Sequence, residues 1–173
     1  MFFLPALVLL LLLILGGVYW WREMRWRFIV IHHSASSLGN LRYIRKIHRK
    51  KHGWPDIAYH FVVNNGSLNT APGEIEISDR WRDRLGGLST RSTAVNTYGI
   101  AVVLVGNFEK RSMPRLQKES LIKLLVNLSR GYGVPPERII RHRDVNRTAC
   151  PGKNFDLEEI RERVRTALAK KSR

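Results

Sequence analysis

The sequence predicts an α/β domain with a single mixed central β-sheet flanked by helices, preceded by an N-terminal transmembrane helix. Three observations support this. The length of 173 residues suits one domain with its own core. Short apolar runs typical of strands alternate with segments whose apolar residues recur at helical spacing. The first 21 residues contain no charged residue, and about 20 apolar residues in a helix cross a bilayer.

Residues 1–21 are interpreted as a transmembrane anchor. A cleaved signal peptide usually has a basic start and small residues at its cleavage site. Here no Lys or Arg precedes the apolar run, and bulky residues follow it. Tyr19, Trp20 and Trp21 would lie at the membrane interface, followed by a basic juxtamembrane segment at 22–27. A cleaved signal is the alternative, and one soluble domain is expected over 28–173.

The remainder of the chain is strongly basic. Thirty Lys and Arg residues against fourteen Asp and Glu give a net charge of +16. Such a surface attracts polyanions, which include nucleic acid, anionic lipid headgroups and anionic cell-wall polymers. No nucleic acid partner is expected, because no nucleic-acid-binding motif is present and an anchor disfavours one. Nothing in the sequence indicates an oligomeric state.

The first elements follow the anchor directly. Residues 28–31 read as a buried strand that ends at His32 and His33. Asn40 is a suitable N-cap for a helix through residue 51, with apolar residues on one face. The opposite face is basic, so it is either a solvated face or a binding surface. His48 and His52 on this helix are expected at the surface.

Four strands and two helices complete the predicted domain. Residues 59–63 form a strand, and the turn at 64–67 leads into a returning hairpin strand. The nearly continuous apolar run at 99–105 is typical of a central strand covered on both faces. A helix over 114–130 ends at a glycine. A short strand at 138–141 presents His142, and the last helix spans about 156–170.

The only cysteine, Cys150, lies eight residues after His142. Together with the upstream histidine pair His32 and His33, these two residues can supply two imidazoles and one thiolate, a plausible three-ligand zinc site. Catalytic zinc sites keep three protein ligands and leave the fourth position for water. A closed structural site would need a fourth ligand, and the chain has no second cysteine to supply it. The ligand count therefore points to hydrolysis, and the lone cysteine excludes an intrachain disulfide.

Four motifs occur in a fixed order along the chain: IVIHHSAS, DIAYHFVV, LVGNF and HRDVNRTACPG. Together they resemble the zinc-dependent N-acetylmuramoyl-L-alanine amidases, the family of the phage T7-type lysozyme and the animal peptidoglycan recognition proteins. The resemblance covers about residues 28–160. It implies Zn²⁺ as cofactor and peptidoglycan or muropeptides as partner. The implied reaction cuts the amide between the lactyl group of N-acetylmuramic acid and L-alanine.

The resemblance also implies the roles of five residues. His32, His142 and Cys150 match the zinc ligands. Tyr59 matches the tyrosine that contacts the reacting carbonyl, and Thr148 occupies the position that active members fill with lysine or threonine. Non-catalytic relatives, which bind muropeptides without cutting them, typically lose the cysteine. An active enzyme is therefore expected, with a non-catalytic binding module as the alternative.

Other polar residues near these motifs have less specific roles. His33 points to the opposite side of the strand from His32, and is either packed there or a substrate contact or ligand. His60 is expected in the core. Asp144 could orient His142, because metal-bound histidines usually donate their second N–H to an acceptor; it could equally cap the following loop. The cleft histidine of the family is missing, so Arg91 is a candidate for substrate binding.

Two further points stay open in the sequence. The glutamate that one branch of the family carries on its central strand is absent from GIAVVLVG, so the general base is unidentified. The arginines after the anchor favour a cytoplasmic domain, whereas peptidoglycan lies outside the cytoplasmic membrane. Because an amidase facing inward would not meet intact wall, a single-pass membrane protein with its domain on the cell-wall side is expected.

Overall fold

The computed structural model describes residues 3–170 of the chain, with side chains from residue 7 onward. Helix α1 precedes a domain in which five strands alternate with helices, and two short 3₁₀ turns flank the last strand. The helices are α1 Phe3–Met24, α2 Leu41–His52, α3 Asp79–Arg82, α4 Thr93–Tyr98, α5 Arg115–Tyr132 and α6 Leu157–Ala169. The strands are β1 Phe28–His33, β2 Phe61–Asn65, β3 Pro72–Ile77, β4 Gly99–Leu104 and β5 Ile139–Arg141.

The five strands form one mixed sheet in the order β3-β2-β4-β1-β5. Strands β2, β4, β1 and β5 run parallel, and β3 pairs antiparallel with β2. All six residues of the central strand β4 are buried, as its continuous apolar sequence predicts. The sheet and the helices that cover it confirm the predicted fold class.

Side-chain alternation along β1 assigns the two faces of the sheet. Ile29 and Ile31 belong to the larger core cluster, which α5 and α6 cover with residues such as Leu125 and Ile160. Val103, the register partner of His32, lies on the opposite face with Ile44 of α2. Because successive side chains point to opposite faces, His32 emerges on the α2 side of the sheet.

Helix α2 begins where the sequence predicts. Asn40 adopts an extended backbone, and its side-chain oxygen accepts a hydrogen bond from Tyr43 N at 2.8 Å. The Glu76 carboxylate, on β3, accepts a second one from Leu41 N at 2.7 Å. An acidic group at this end also interacts favourably with the helix dipole. Two of the backbone N–H groups that a helix start leaves without partners are therefore satisfied.

The first strand of the hairpin differs from its prediction in its bounds. The strand expected over 59–63 begins at Phe61, and the His60 before it bonds Ala101 through both its backbone N–H and its ring, each at 2.8 Å. The strand also continues through Asn64 and Asn65, which were assigned to the turn. Asn64 is fully buried and donates to the Glu76 carboxylate at 2.9 Å. A tertiary partner thus keeps a turn-forming residue inside a strand.

The C-terminal end of α1 and the residues that follow it contact the domain. Trp26, within the predicted juxtamembrane segment 22–27, is fully buried and packs against His60 and Trp81. Glu23 forms an ion pair with Arg84 at 2.7 Å. Residues 7–24 are exposed and apolar enough, by length and composition, to cross a membrane, a property that signal sequences share. The apolar helix therefore leads into the core without an intervening linker.

Candidate metal centre

His32 reaches the centre from the end of β1. The four residues before it in the strand are apolar, all six residues of β1 pair with β4 on one side, and Ile29, Val30 and Ile31 pair with β5 on the other. This pairing fixes the strand, and the alternation of side chains then fixes the direction of the imidazole. His32 is 1% exposed, and burial lowers the pKa of its imidazole well below the usual value. The ring is therefore neutral, which is the form that binds a metal.

His142 arrives from the neighbouring strand. Strand β5 pairs with β1 in parallel register, with Arg141 opposite Ile31. The residue that follows Arg141 therefore lies beside the one that follows Ile31, and the ring centroids of His32 and His142 are 4.5 Å apart. Burial lowers the pKa of His142 as well. Parallel pairing of two short strands is what brings the two histidines together.

Cys150 is held by the loop that returns from the 3₁₀ turn at His142–Asp144. Arg143 N–H donates to Cys150 O at 3.0 Å, and His33 N–H donates to the Cys150 Sγ at 3.3 Å. Two residues later, a Cβ at Gly152 would lie 2.3 Å from the carbonyl carbon of Phe108, and its φ is +115°. Only glycine allows the loop to approach the β4–α5 connection so closely.

The three side chains fit a metal ion. Their ligand atoms all lie within 4.8 Å of one another, and ligand atoms on one tetrahedral zinc ion lie about 3.5 Å apart. The Nε2 atoms of His32 and His142 are buried and have no hydrogen-bond partner among the described residues. Buried polar atoms without partners are rare in proteins, and a shared cation would satisfy both.

The thiol of Cys150 leads to the same conclusion. Burial raises its pKa to about 11, against the lowering effects of the His33 N–H and of Arg143. Without a cation, the side chain would be a neutral thiol beside two unpartnered nitrogens. A bound metal ion deprotonates a coordinating thiol outright. The group therefore can hold a metal, and it is the one cluster of this kind within residues 3–170.

Tyr59 lies beside the metal group. It precedes β2, is half-buried, and its ring centroid lies 5.0 Å from that of His32. Burial raises the pKa of the Tyr59 hydroxyl above its usual value, so this group is a hydrogen-bond donor near neutral pH. Thr148 is exposed, and its Oγ1 accepts a hydrogen bond from Cys150 N at 3.3 Å. Both predicted catalytic residues are thus adjacent to predicted ligands.

His33 and Arg91 are placed differently. The His33 ring accepts a hydrogen bond from Phe108 N at 3.2 Å, on the side away from His32, and so helps to hold the β4–α5 connection. Arg91 is exposed, and its backbone N–H donates to Asn146 Oδ1 at 3.1 Å. This bond brings the loop before α4 against the loop between His142 and Cys150. Arg91 therefore lies beside the loop between His142 and Cys150, whereas the His33 ring bonds the β4–α5 connection.

The hydrogen bonds of Asp144 go to Arg141. Its carboxylate accepts from Arg141 N at 2.8 Å and pairs with the Arg141 guanidinium at 2.9 Å. It therefore caps the turn that begins at His142. His60 is a core residue, as expected: it is fully buried, and its Nδ1 and Nε2 bond Ala101 N and Leu85 O.

The surface position expected for His48 is wrong. The residue is buried, its Nδ1 accepts a hydrogen bond from Ala58 N at 3.1 Å, and burial lowers its pKa to about 4. Its ring lies 5.4 Å from that of Tyr59. His48 follows the buried Ile44 by four residues, so helical spacing could have placed it on the same face. It packs directly behind Tyr59.

Comparison with known proteins agrees with this geometry. The family model described as N-acetylmuramoyl-L-alanine amidase matches residues 22–153, most of the chain. The chain belongs to the N-acetylmuramoyl-L-alanine amidase family. The endolysin of Enterobacteria phage T3 is 32% identical over 138 residues, covering 75% of this chain and 82% of the endolysin.

Two further relatives show how widely the fold is used. Peptidoglycan-recognition protein LB of Drosophila melanogaster is 23% identical over 136 residues, which span 72% of this chain and 54% of that protein. The structure of the amidase LysC from Clostridium intestinale URNW matches with a TM-score of 0.69 and 28% identity, covering 83% of this chain and 88% of LysC. The chain thus spans about half the length of the Drosophila protein and most of the length of LysC.

Proposed function

We propose that the chain is a zinc-dependent N-acetylmuramoyl-L-alanine amidase. It hydrolyses the amide between the lactyl group of N-acetylmuramic acid and L-alanine in peptidoglycan. One observation carries the proposal: in a member of this family, the ligand atoms of His32, His142 and Cys150 converge, and the two imidazole Nε2 atoms have no other partner.

The donor set favours zinc. Imidazole nitrogen and thiolate sulfur are ligands that Zn²⁺ prefers, whereas Mg²⁺ and Ca²⁺ prefer oxygen. Three protein ligands leave one position open, as in catalytic zinc sites. When bound, zinc supplies Lewis acidity and makes water a nucleophile near neutral pH. The presence of Cys150 favours an enzyme over the non-catalytic binding module.

The protein residues around the metal group have complementary roles. The Tyr59 hydroxyl, kept protonated by burial, donates a hydrogen bond to the lactyl carbonyl oxygen as negative charge develops there. The exposed Thr148 hydroxyl accepts the Cys150 N–H and has its own proton free to orient the substrate amide. The neutral His32 ring is positioned by β1, and the neutral His142 ring by the turn that follows β5. Arg91, on the neighbouring loop, is available for an anionic part of the substrate.

The substrate class is supported by the relatives. The T3 protein is named an endolysin and LysC an N-acetylmuramoyl-L-alanine amidase, and the Drosophila protein is named for peptidoglycan recognition. Each pairs with most of the amidase region of this chain. The net charge of +16 is consistent with a surface that works next to anionic wall polymers.

We further propose that α1 anchors the domain to the membrane, with the metal group on the cell-wall side. Strand β1 starts four residues after α1 and ends at His33, so its six residues span about 20 Å. The ion pair between Glu23 and Arg84 and the burial of Trp26 tie the anchor to the opposite end of the sheet. The metal group would then open away from the membrane.

The test of the activity uses the full chain in mild detergent and defined muropeptides. Mass spectrometry of the products identifies the bond that is cut. The proposal expects the free stem peptide and the intact muramic acid sugar, with no product from the matched Cys150→Ser protein. Cleavage between sugars, or within the stem peptide, would contradict it.

The orientation has its own test. C-terminal fusions to two reporters, one active only outside the cytoplasm and one only inside, are expressed in the same cells. The proposal expects signal from the external reporter. Signal solely from the internal reporter would place the domain in the cytoplasm and contradict the orientation without affecting the reaction.

A further inference from the structure

A crevice forms where two neighbouring parallel strands send the chain in opposite directions. From β1 the chain passes to α2 on one face of the sheet, and from the adjacent β4 it passes to α5 on the other face. Such a switch point leaves the two connections apart at the carboxyl ends of the strands, and ligands commonly bind there in α/β sheets. The metal group occupies a different place, between β1 and β5.

A pocket of about 460 Å³ occupies this crevice, within the range of small-ligand sites. Hydrogen bonds between its walls fix its shape. Asn65 Nδ2, at the end of β2, donates to Ser37 O at 2.9 Å. Gly106 N, after β4, donates to Ser34 Oγ at 3.0 Å, which ties the β1 and β4 connections together. The pocket is therefore a built part of the fold rather than a gap between mobile loops.

The chemistry of the lining is that of an anion site. Lys110 and Arg111 line the pocket, and neither forms an ion pair among the described residues. No carboxylate lines it. The hydroxyls of Ser37 and Ser112, also in the lining, make no hydrogen bond within the described part of the chain. Two cationic and two hydroxyl side chains, all four without such partners in the described part of the chain, thus belong to residues that line the same cavity.

Two neighbouring features also favour the binding of an anion in this pocket. Glu109, the acidic residue closest in sequence to the two cations, is turned elsewhere, since its Oε1 accepts from Lys153 N at 2.8 Å. Helix α5 starts directly after Pro114, which also lines the pocket, and its first turn contains no acidic residue. The positive end of a long helix therefore adds to the field of the two side chains.

The pocket is connected to the metal group through one residue. Phe108, which lines the pocket, donates its N–H to the His33 ring at 3.2 Å, and His33 N–H donates to the Cys150 Sγ at 3.3 Å. A peptide of three to four residues spans about 10–14 Å when extended. A stem peptide whose first amide lies at the metal group could therefore place its far end here.

We propose that this pocket binds the terminal carboxylate of the stem peptide and so selects its length. The identity of the peptide rests on the proposed function; the anion site rests on the pocket alone. A carboxylate suits the lining, because the Arg111 guanidinium can bind it through two parallel hydrogen bonds. Lys110 and the two serine hydroxyls supply the remaining donors.

The experiment measures binding, so it does not depend on turnover. The probes are the tripeptide L-Ala-γ-D-Glu-L-Lys and the same peptide with its C-terminus amidated, titrated calorimetrically into the full chain in detergent at low salt. Both peptides carry the glutamate carboxylate, so the ratio of their dissociation constants reports the contribution of the terminal carboxylate alone. The acid is expected to bind about tenfold more tightly than the amide, a typical effect for a charge-assisted contact. In Lys110→Gln/Arg111→Gln the ratio falls to about one.

The matched control is Arg42→Gln/Lys50→Gln, which removes the same charge from exposed positions on α2. This protein should keep the tenfold ratio. Equal affinity of the acid and the amide, absence of binding by both, or a ratio that survives in Lys110→Gln/Arg111→Gln would overturn the proposal. Binding of glycerol 3-phosphate without discrimination between the peptides would assign the pocket to phosphate and overturn it too.

The peptide-binding experiment and the cleavage experiment can fail independently of each other. A chain that discriminates between the tripeptides but cuts no bond refutes the amidase and leaves the pocket assigned. A chain that cuts the predicted bond but binds the acid and the amide equally refutes only the pocket.

Discussion

The neutral His60 should make the stability of the domain depend on pH. The residue is 0% exposed, its Nδ1 accepts from Ala101 N and its Nε2 donates to Leu85 O, both at 2.8 Å. Burial lowers its pKa to about 3, and the nearby Arg80, Arg25 and Arg84 contribute in the same direction. In the unfolded chain the imidazole has a pKa of about 6.5.

The sign and size follow from proton linkage. Below pH 6.5 the unfolded chain binds a proton at this position that the folded protein excludes, so stability is lost as the pH falls. Between pH 8 and pH 5 the free energy of unfolding falls by about 2 kcal/mol. The fall occurs below the unfolded pKa of about 6.5, over about 1.5 pH units at about 1.4 kcal/mol each. The loss would continue down to the folded pKa of about 3.

The assay compares the wild-type chain with His60→Gln, whose amide can replace both hydrogen bonds without titrating. Urea unfolding in mild detergent is followed by tryptophan fluorescence at pH 8, 6.5 and 5 and constant ionic strength. Other histidines, including His32, His48 and His142, are common to both proteins and cancel in the difference. The difference in free energy of unfolding should change by about 2 kcal/mol between pH 8 and pH 5. Parallel pH profiles for the two proteins would refute the assignment of a neutral, buried His60.

Three other substitutions probe the site and its support. Tyr59→Phe should retain the metal and the fold and lose about 10²–10³ in cleavage rate, because it removes one donor to the developing oxyanion; a parental rate on muropeptide would make Tyr59 a packing residue only. Gly152→Ala should reduce zinc content at limiting metal, since the added Cβ meets the Phe108 backbone at 2.3 Å; unchanged metal content by elemental analysis would show that the Cys150 loop does not need this approach. Gln117→Leu should lower the free energy of unfolding by about 2–4 kcal/mol, because Gln117 Nε2 donates to Val63 O and Val105 O at 2.9 Å each; an unchanged urea midpoint would contradict that role.

The sequence predicts those parts of the molecule that depend on local periodicity. The apolar run at 99–105 and the helix start at Asn40 were confirmed because each carries its own signal, in continuous burial and in an N-cap. The metal group was predictable for a different reason. Parallel strands must present their ends at one edge, so a histidine after each of two strands can meet.

Features that depend on tertiary contacts could not be predicted from local sequence patterns. Asn64 extends β2 only because Glu76 accepts its hydrogen bond, and α3 and α4 are too short to show a periodic pattern. The anion pocket depends on the strand order, which places the β1 and β4 connections on opposite faces. His48 is the exception, since its spacing from Ile44 already indicated burial.

Metal removal and restoration would show whether the chain needs zinc, held by Cys150, to cleave muropeptide. The full chain is treated with a chelator, assayed on muropeptide by mass spectrometry, and assayed again after one equivalent of Zn²⁺, with Cys150→Ser treated in parallel. We expect loss of cleavage on chelation, recovery with zinc at a stoichiometry near one, and no recovery in Cys150→Ser. Full cleavage by the chelated, metal-free protein, or equal zinc binding by Cys150→Ser, would contradict it.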